Sequence, residues 1–582
     1  MLSTVYTLGI NAAFHDPAAC LVCDGVVIAA AEEERFTRIK HGKRPIPFST
    51  YELPFHAVEF CVRQAGIRLT DVDHVAYSFD PFLLLGRHAG ASQIAIPLHG
   101  TGSQSNEWES PWDPLALSAI VNAPRHLASG VPHHLGERLS GLADSGPARW
   151  HYVPHHVAHA ASAFHASPYE TAAVMTLDGR GERATTSYHV GKGQDLTEHG
   201  AVTMPHSLGL LYEQVTSYLG YLHSSDEYKV MALASFGKPE YVDILRRSVR
   251  LLGGGQYVVE PLNLVELFGP PRVRGGALEQ RHYNLARSLQ QVLEETTLDL
   301  ACWLHESTGE PRLCLAGGVA LNCVLNARIR SASPFKEVWV QPAAGDAGTA
   351  LGAALWIDAQ VCPTSGARRS TMEHVFLGPA YEDQEIDAVL RRAKVSYRRL
   401  HNIPEETAEL LERDLIVGWF QGAMEFGPRA LGARSILASP INPAMQDRLN
   451  DIKDREDFRP VAPVVLEEDA GDWFADARVS PFMLFVFDVK PDKAMRVPAV
   501  RHVDGTARVQ TINRTQHPLY YDVIKAFKRR TGVPVLVNTS FNVRGEPIVC
   551  TPRDALSAFF SSPLDALVIG PFLVTKGAAT TP

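Results

Sequence analysis

This sequence has few cysteines, and we see in it neither a long apolar run nor a basic N-terminal leader. Eight cysteines occur among 582 residues, and no second pair follows the CxxC of Cys20 and Cys23, which argues against a structural zinc site. No apolar run reaches about 18 residues, so we expect no transmembrane helix. His15 and Asp16 interrupt the apolar N-terminus, and we expect no signal peptide. These absences predict a cytoplasmic protein with reduced thiols.

The sequence also lacks an excess of positive charge. It has 55 Lys and Arg against 64 Asp and Glu, a net charge of -9, which argues against binding to nucleic acid or to an anionic membrane. Apolar residues make up 45% of the chain and charged residues 20%, as is typical of a soluble globular enzyme. The length predicts two to four domains. The negative net charge is compatible with a cationic small-molecule substrate. The sequence leaves the oligomeric state open.

Two stretches of the N-terminal half follow the same pattern. Residues 5–32 predict apolar strands with a hairpin turn at Asp24-Gly25. Residues 171–193 again predict an apolar strand, a Gly-rich turn beside an acid and a return strand. Because helical segments follow each unit, the chain is predicted to have an internally duplicated α/β architecture.

Two other segments have an unusual composition. Residues 81–150 are rich in Gly, Ser, Pro and His, and we expect this insert to face the substrate. Its candidate contacts, each equally compatible with plain solvation, are His88, His99 and Glu107. A Pro/Ser/Gly stretch at 362–381 predicts the boundary between a domain of residues 1–365 and an α/β domain of residues 372–582.

His155 and His159 lie four residues apart at the start of a predicted helix. They would share one face about one turn apart, as a metal-binding pair does, although two of 24 histidines could also merely pack there. Asp178 and Asp346 each follow an apolar strand in a Gly-rich turn. That position suits a metal ligand, but a turn residue, a helix N-cap or, for Asp346, a ribose contact explains it equally well. Two imidazoles and two carboxylates would suit Fe(II), Zn or Mn rather than Ca.

A Gly-Gly turn at Gly317 and Gly318, followed by Asn322, joins a strand to a helix. Such a turn directs backbone N–H groups towards an anion and lets a ligand lie close to the chain. A tight turn without a ligand is the alternative.

The region after residue 372 is rich in Arg and Lys set among Gly and Pro. Cations in such turns are typical of preorganised donors for phosphate oxygens, and the glycines disfavour the alternative of a solvated basic face. A later strand ends in polar groups that suit an amide or a phosphate, or ordinary turn chemistry. The candidate contacts are Arg429, Arg434, Lys453, Arg455, Arg459, Arg508, Gln510, Asn538, Ser540 and Asn542. Together with the metal candidates, they predict an ATP-using enzyme with two sites.

Eight motifs, in order, resemble those of a known family. They are "FHDPAACLVCDG", "HHVAHAASAF", "DGRGE", "LAGGVALNCVLN", "GDAGTALGAA", "MEFGPRALGARSIL", "FRPVAPVV" and "VNTSFNVRGEPIV". From about residue 5 to about residue 575 the chain resembles the O-carbamoyltransferases that act on antibiotics and nodulation factors, and most of all the nebramycin synthetase type that acts on aminoglycosides. The resemblance implies an actin-like (ASKHA), duplicated N-terminal domain and a YrdC-like C-terminal domain.

The resemblance also implies a reaction in two steps. Carbamoyl phosphate and ATP, with Mg, would form carbamoyl-adenylate and pyrophosphate in the YrdC-like domain. The carbamoyl group would then pass inside the protein to the metal-bearing domain. There a hydroxyl of an antibiotic, an aminoglycoside such as tobramycin or kanamycin, would accept it, and AMP would leave.

Carried over by position, the resemblance assigns roles to individual residues. His155, His159, Asp178 and Asp346 would bind Fe(II), and His15 would take the proton of the acceptor hydroxyl as a neutral imidazole. ATP phosphates or the carbamoyl group would be contacted by Arg429, Lys453, Arg459, Arg508 and Ser540. The adenylate of the second step would be contacted by Gly317, Gly318 and Asn322, with Lys229 near the nucleotide.

Two other functions remain open. The duplicated fold would permit an actin-like sugar kinase, which needs neither a histidine metal pair nor an arginine-rich second domain and would produce ADP. A nucleotide-binding scaffold is the non-catalytic alternative, but it predicts degraded motifs, and these are intact.

Overall fold

The computed structural model describes residues 4–42, 53–87, 113–129, 148–362, 371–543 and 545–576. The insert contacts predicted at His88, His99 and Glu107 lie outside these residues, as does part of the predicted boundary segment. We call residues 4–362 the N-terminal region and residues 371–576 the C-terminal region. Within the described ranges, no helix is both long and apolar enough to cross a membrane.

The first sheet of the N-terminal region has five strands. They are β1 Tyr6–Asn11, β2 Ala18–Cys23, β3 Val26–Glu32, β4 His74–Tyr77 and β5 Arg149–Tyr152. The helices of this part are α1 Glu34–Thr37, α2 Phe55–Gln64, α3 Pro81–Arg87, α4 Asp113–Val121, α5 Ala123–Ser129 and α6 His155–Ala166. The strand order is β3-β2-β1-β4-β5, with an antiparallel meander followed by two parallel strands. Asp24 and Gly25 have φ of 46° and 81°, as the predicted hairpin turn requires.

The second sheet repeats this topology. Its part of the chain contains the strands β6 Thr171–Leu177, β7 Ala184–Lys192, β8 Asp195–Thr203, β9 Val249–Gly253, β10 Gln256–Val259, β11 Arg312–Ala316 and β12 Glu337–Val340. The helices are α7 Leu208–Tyr218, α8 Glu227–Ala234, α9 Val242–Ser248, α10 Leu264–Phe268, α11 Gln280–Thr308, α12 Cys323–Ala332 and α13 Ala347–Val361. The order β8-β7-β6-β11-β12 is again a meander followed by two parallel strands, and β9 and β10 form a separate hairpin. The predicted duplication is therefore confirmed.

Helices α6 and α13 pack closely because their contacts are made by Ala and Gly. A Cβ at Gly352 of α13 would lie 1.8 Å from the carbonyl oxygen of Ala158 in α6. A Cβ at Gly9 of β1 would lie 1.9 Å from the carbonyl oxygen of Ala350. Only glycine permits such approaches. The packing brings the first turns of α6 and α13, with His155 and Asp346, to the same place.

The C-terminal region is built on a mixed sheet of eight strands. The strands of the whole region, two of which lie outside this sheet, are β13 Tyr397–Arg399, β14 Val417–Phe420, β15 Arg434–Ala438, β16 Ala462–Leu466, β17 Val486–Asp488, β18 Thr506–Arg508, β19 Gln510–Ile512, β20 Val535–Ser540, β21 Ala566–Ile569 and β22 Phe572–Thr575. Its helices are α14 Asp383–Ala393, α15 Ile403–Glu412, α16 Met445–Ile452, α17 Ala470–Trp473, α18 Pro518–Thr531 and α19 Pro552–Phe560. The order is β13-β22-β21-β14-β15-β20-β16-β19, and β17 pairs with β18. The α/β class is confirmed in both regions.

Candidate functional site

The four predicted metal ligands of the N-terminal region lie together. His155 and His159 are on α6, Asp178 follows β6, and Asp346 precedes α13; the candidate ligand atoms of these residues all lie within 4.8 Å of one another. Nε2 of His155 is 3.2 Å from Nε2 of His159 and 3.4 Å from Oδ2 of Asp178. Oδ1 of Asp346 is 3.7 Å from both Nε2 atoms. All four residues are buried.

Backbone groups orient these side chains. Nδ1 of His155 lies 3.2 Å from the carbonyl oxygen of Ser78, so this nitrogen carries a proton, and Nε2 faces the other ligands, where a metal would take the place of its proton. The N–H of Gly318 donates to Oδ1 of Asp178 at 2.8 Å, which leaves Oδ2 for the cluster. Glu182 accepts the N–H of His155 at 2.9 Å and so holds the first turn of α6.

The electrostatics of the set fit a divalent transition metal. Burial alone would lower the pKa of His155, but the carboxylates of Asp178 and Asp346 raise that pKa well above its usual value. Within the described ranges, the buried Oδ1 of Asp346 has no hydrogen-bond partner, and an unsatisfied buried carboxylate oxygen is costly. Two imidazole nitrogens and two carboxylates form a donor set that suits Fe(II), Zn or Mn, so the residues fit the metal that the resemblance implies.

His15 lies beside this set and reaches the surface. Its Nε2 is 3.6 Å from Oδ2 of Asp346, and its Nδ1 is 3.0 Å from Oδ2 of Asp16. The side chain of His15 is 26% exposed, so an incoming molecule can reach it. Its role as a proton acceptor stays a prediction.

The other candidates of the N-terminal region have protein partners. Gly317 has φ of 91°, and a Cβ there would lie 2.1 Å from the carbonyl oxygen of Leu177, so the close approach requires glycine. Asn322 exchanges amide hydrogen bonds of 2.8 and 3.2 Å with Gln290. Nζ of Lys229 is 3.0 Å from Glu456 of the C-terminal region. In this structure, therefore, Lys229 joins the two regions.

In the C-terminal region, Lys453 lies with two of the predicted polar contacts. Its Nζ donates to the carbonyl oxygen of Ser540 at 2.6 Å, to Oγ of Ser540 at 2.7 Å and to Oδ1 of Asn542 at 2.9 Å. Burial, followed by repulsion from Arg455 and Arg459, keeps the pKa of Lys453 well below its usual value. A strongly depressed lysine pKa is a feature of functional sites.

Four arginines, Arg429, Arg455, Arg459 and Arg508, extend this cluster, and Arg459 lies 3.7 Å from a carboxylate oxygen of Glu456. Burial, followed by repulsion from Arg508, lowers the pKa of Arg429 to about 9, and burial, followed by Arg459, lowers that of Arg455 to about 9. Among the atoms of the described residues, Nε of Arg429, Nε of Arg508 and one terminal nitrogen of Arg455 are buried without a hydrogen-bond partner. Arginines carry their charge at any ordinary pH. We therefore interpret these shifts as evidence that the positive charge of the cluster is only partly balanced within the protein, and phosphate oxygens would supply the remaining negative charge.

We call Arg429, Lys453, Arg455, Arg459 and Arg508 the cationic cluster. It lies against the N-terminal region. Arg429 donates to the carbonyl oxygen of Leu321 at 3.4 Å, and the guanidinium of Arg459 lies 4.7 Å from the centre of the Tyr228 ring.

Three predicted contacts instead support the backbone. Arg434 is fully buried over the ring of Phe420 and donates to the carbonyl oxygens of Pro379, Gln421 and Gly422 at 2.9 to 3.0 Å. Gln510 donates to the carbonyl oxygen of Leu431 at 2.9 Å and accepts from Asn538 at 2.8 Å. These side chains fix the loop that carries Arg429, and their contact with a ligand stays a prediction.

Sequence analysis missed Glu182 and Tyr228. Both lie next to assigned motifs, Glu182 within "DGRGE" and Tyr228 beside Lys229. Their adjacency was the available signal, but only the fold shows that Glu182 faces the first turn of α6 and that Tyr228 lies under Arg459.

Comparison with known proteins covers most of the chain. The sequence model described as carbamoyltransferase N-terminus matches residues 6–81 and 147–355, and that described as carbamoyltransferase C-terminus matches residues 408–576. The chain is 39% identical to the uncharacterised protein sll1178 of Synechocystis, with 98% of this chain and 97% of that protein covered. It is 38% identical to the nodulation protein NolNO of Sinorhizobium fredii, over 98% of this chain and 80% of that protein. It is 40% identical to the nodulation protein NolO of Bradyrhizobium diazoefficiens, over 73% of this chain and 79% of that protein.

Proposed function

Because the chain belongs to the carbamoyltransferase family, we propose that it is an ATP-dependent O-carbamoyltransferase that works through carbamoyl-adenylate at two sites. One observation carries the proposal. A buried set of metal-type donors in the N-terminal region is combined with a buried cationic cluster in the C-terminal region. The first suits a metal cation, and the second suits the phosphates of ATP and carbamoyl phosphate.

In the first half-reaction, the C-terminal region activates the carbamoyl group; we propose that it is a YrdC-like domain of residues 372–582. Water cleaves carbamoyl phosphate to carbamate and orthophosphate, with loss of one proton. A carbamate oxygen then attacks the α-phosphorus of Mg-bound ATP, and pyrophosphate leaves. Lys453, Ser540 and the arginines of the cationic cluster bind the phosphates and offset the negative charge that accumulates during transfer.

In the second half-reaction, the N-terminal region transfers the group; we propose that it is an actin-like domain of residues 1–365. An acceptor hydroxyl oxygen bonds to the carbamoyl carbon, the bond from that carbon to the AMP oxygen breaks, and the hydroxyl proton moves to Nε2 of His15. Asp16, 3.0 Å from Nδ1 of His15, orients the ring so that Nε2 accepts the proton and then stabilises the imidazolium. Gly317, Gly318 and Asn322 lie on the adenylate side.

We propose that His155, His159, Asp178 and Asp346 hold Fe(II), with Zn or Mn as the alternatives. When bound, the metal supplies positive charge that offsets negative charge on the adenylate. The carbonyl of Ser78 sets the tautomer of His155, and the N–H of Gly318 orients Asp178, so the ligands are positioned before the metal binds.

We propose an aminoglycoside as the acceptor. Its ammonium groups suit a chain with a net charge of -9. Because two of the relatives are nodulation proteins, a chitin-type oligosaccharide is the second acceptor to test.

The test is a product assay on the full chain with ATP, Mg, carbamoyl phosphate and Fe(II), with and without tobramycin. We expect AMP, pyrophosphate and carbamoylated tobramycin, identified by mass spectrometry. If AMP and pyrophosphate appear with an unmodified aminoglycoside, the mechanism stands and the aminoglycoside assignment is wrong. ADP as the product would identify a kinase instead. No consumption of ATP across a panel of hydroxyl acceptors would contradict the two-step mechanism.

A further inference from the structure

A buried ion pair of the N-terminal region holds a loop of the C-terminal region. Glu32, the last residue of β3, and Arg35 of α1 are 4% and 3% exposed. Their side chains are joined by two hydrogen bonds of 3.0 and 3.3 Å. Oε1 of Glu32 accepts the N–H of Gly427 at 2.8 Å, and Arg35 donates to the carbonyl oxygen of Gly427 at 3.0 Å. The N–H and the carbonyl group of Gly427 are thus both bound by one ion pair, whose members Glu32 and Arg35 lie 395 and 392 positions away along the chain.

The orientation of Arg35 is itself fixed from its other side. Glu34 lies 2.8 Å from the guanidinium of Arg35, and its second carboxylate oxygen accepts the N–H of His41 at 2.6 Å. Two buried carboxylates, those of Glu32 and Glu34, therefore contact one buried guanidinium. A guanidinium offers the planar, forked set of donors that this arrangement needs, and a lysine does not.

The loop that contains Gly427 also carries Arg429. Gly427 lies two residues before Arg429, and Leu431, whose N–H donates to Glu425 at 2.7 Å, lies two residues after it. Arg429 is therefore held between two anchors, of which one belongs to its own region and the other to the N-terminal region. Gly427 has φ of 115°, and a Cβ there would lie 3.2 Å from the carbonyl oxygen of Pro342. The loop thus has little room to shift against the N-terminal region.

Stability does not account for this arrangement. A buried ion pair gains little free energy over apolar residues of the same size, because desolvation of the charges offsets their attraction. Its specific consequence is geometric, since it fixes one peptide and, with it, the position of the guanidinium two residues further on.

We infer that Glu32 and Arg35 are positioning residues for Arg429, so that formation of the adenylate in the C-terminal region depends on an ion pair of the N-terminal region. The inference rests on the proposed function, because it assigns Arg429 to the phosphates of the first half-reaction. It makes the C-terminal region incomplete without its partner region.

The test uses the full chain with Glu32→Gln and Arg35→Lys, and measures carbamoyl-phosphate-dependent exchange of labelled pyrophosphate into ATP. We expect each variant to lower kcat for exchange by about 10- to 100-fold, the effect of misplacing a binding group by about 1 Å. The matched controls are Asp71→Asn and Arg68→Lys, because this exposed pair has the same spacing of three residues and a contact of 3.2 Å. We expect the control variants to exchange as the unmodified protein does.

A double-mutant cycle separates positioning from general damage. If Arg35 acts through Arg429, Arg35→Lys adds almost no further loss when Arg429 is already lysine. If Arg35 merely supports folding, it costs the same factor in both backgrounds. Equal factors, or unchanged exchange in both Arg35→Lys and Glu32→Gln, would overturn the inference.

Calorimetry with pyrophosphate gives a second readout that does not depend on the reaction. We expect Arg35→Lys to weaken pyrophosphate binding when Arg429 is present and not in Arg429→Lys. An unmodified protein that performs no exchange would contradict the proposed function alone, and the calorimetric cycle would still decide on the positioning role. Equal weakening in both backgrounds, or none in either, would overturn that role.

Discussion

The donor set of the N-terminal region and the cationic cluster of the C-terminal region differ in the sign of the ion that they suit. Within the N-terminal donor set, the buried acceptor Oδ1 of Asp346 has no hydrogen-bond partner among the described residues and lies 3.7 Å from two imidazole nitrogens. Within the cationic cluster, donor nitrogens of Arg429, Arg455 and Arg508 are buried without a hydrogen-bond partner among the described residues. Unpaired buried polar groups are costly, and in these two sets a bound ion of opposite charge would satisfy them. The N-terminal set suits a cation, and the cationic cluster suits an anion.

The two sets also differ in how they are held. Backbone groups of the same region orient the metal-type donors, as the carbonyl of Ser78 does for His155. The cationic cluster depends partly on the other region, since Arg429 contacts Leu321 and Arg459 lies over Tyr228. Variants of the N-terminal donors should therefore impair carbamoyl transfer and leave adenylate formation intact. This difference between the two sets can be tested experimentally.

The largest expected effect is that of replacing both histidine ligands. Loss of a residue that only supports a ligand costs about 10- to 100-fold, so His155→Ala combined with His159→Ala should lower carbamoyl transfer at least ~10³-fold and abolish metal binding. Exchange of pyrophosphate into ATP should persist, because the cationic cluster is untouched. Metal analysis and product mass spectrometry measure the two effects. The matched control is His156→Gln, since this neighbour bonds to Thr176 at 2.7 Å; retained metal in the double variant would contradict the assignment.

The converse variant is Lys453→Gln. Removing one preorganised donor of a transition state costs about 10²-fold or more, so exchange should fall by about that factor while the metal content stays unchanged. Lys528→Gln is the control, because this lysine forms an ion pair with Asp469 at 2.8 Å and should exchange normally. Loss of metal in Lys453→Gln would show that the two sets are not independent.

The affinity for ATP should depend on pH through Lys453. Burial keeps the pKa of this lysine well below its usual value, and a bound phosphate favours the charged form, so binding raises the pKa. Affinity is then greatest below the pKa of the free protein and falls as the pH rises through it, by at most about tenfold per pH unit. Calorimetric titrations over the pH range below the usual pKa of lysine measure the slope. Lys453→Gln should flatten the slope, and an unchanged slope would assign the effect to another group.

The smallest expected effect is that of Glu182→Gln. Oε1 of Glu182 accepts the N–H groups of His155 at 2.9 Å and Asp80 at 2.7 Å, and Oε2 accepts the N–H of His155 at 3.1 Å. The amide oxygen of glutamine can replace Oε1, but its amide nitrogen cannot accept in place of Oε2. We expect metal affinity to fall about tenfold, at the low end for a residue that supports a ligand. Competition with a chelator measures this affinity. Unchanged metal affinity would mean that α6 is held without Glu182.

Much of the fold could be predicted because its signals are local. The alternation of apolar residues, the turn at Asp24-Gly25 and the repeat of the meander are visible within short windows of sequence. The histidine pair was equally local, since residues at i and i+4 of a helix share a face. Asp178 and Asp346 were identified as strand-end carboxylates, and the topology brings them to the pair.

Long-range contacts could not be read from the sequence. Arg429 and Arg434 lie five residues apart in the same Gly-rich stretch, yet one is in the cationic cluster and the other binds backbone carbonyls. The hydrogen bonds of Glu32 and Arg35 with Gly427 join residues that lie 395 and 392 positions apart. Periodicity and spacing carry no information on such pairs, because these contacts depend on how the two regions pack.

The most direct test of two separate sites is to measure both half-reactions before and after removal of the transition metal. The full chain is treated with a chelator that spares Mg and is then assayed for carbamoyl-phosphate-dependent pyrophosphate exchange and for carbamoylation of tobramycin. The account predicts that exchange survives, that carbamoylation stops, and that Fe(II) restores it. Loss of exchange together with carbamoylation, or carbamoylation that continues without the metal, would contradict it.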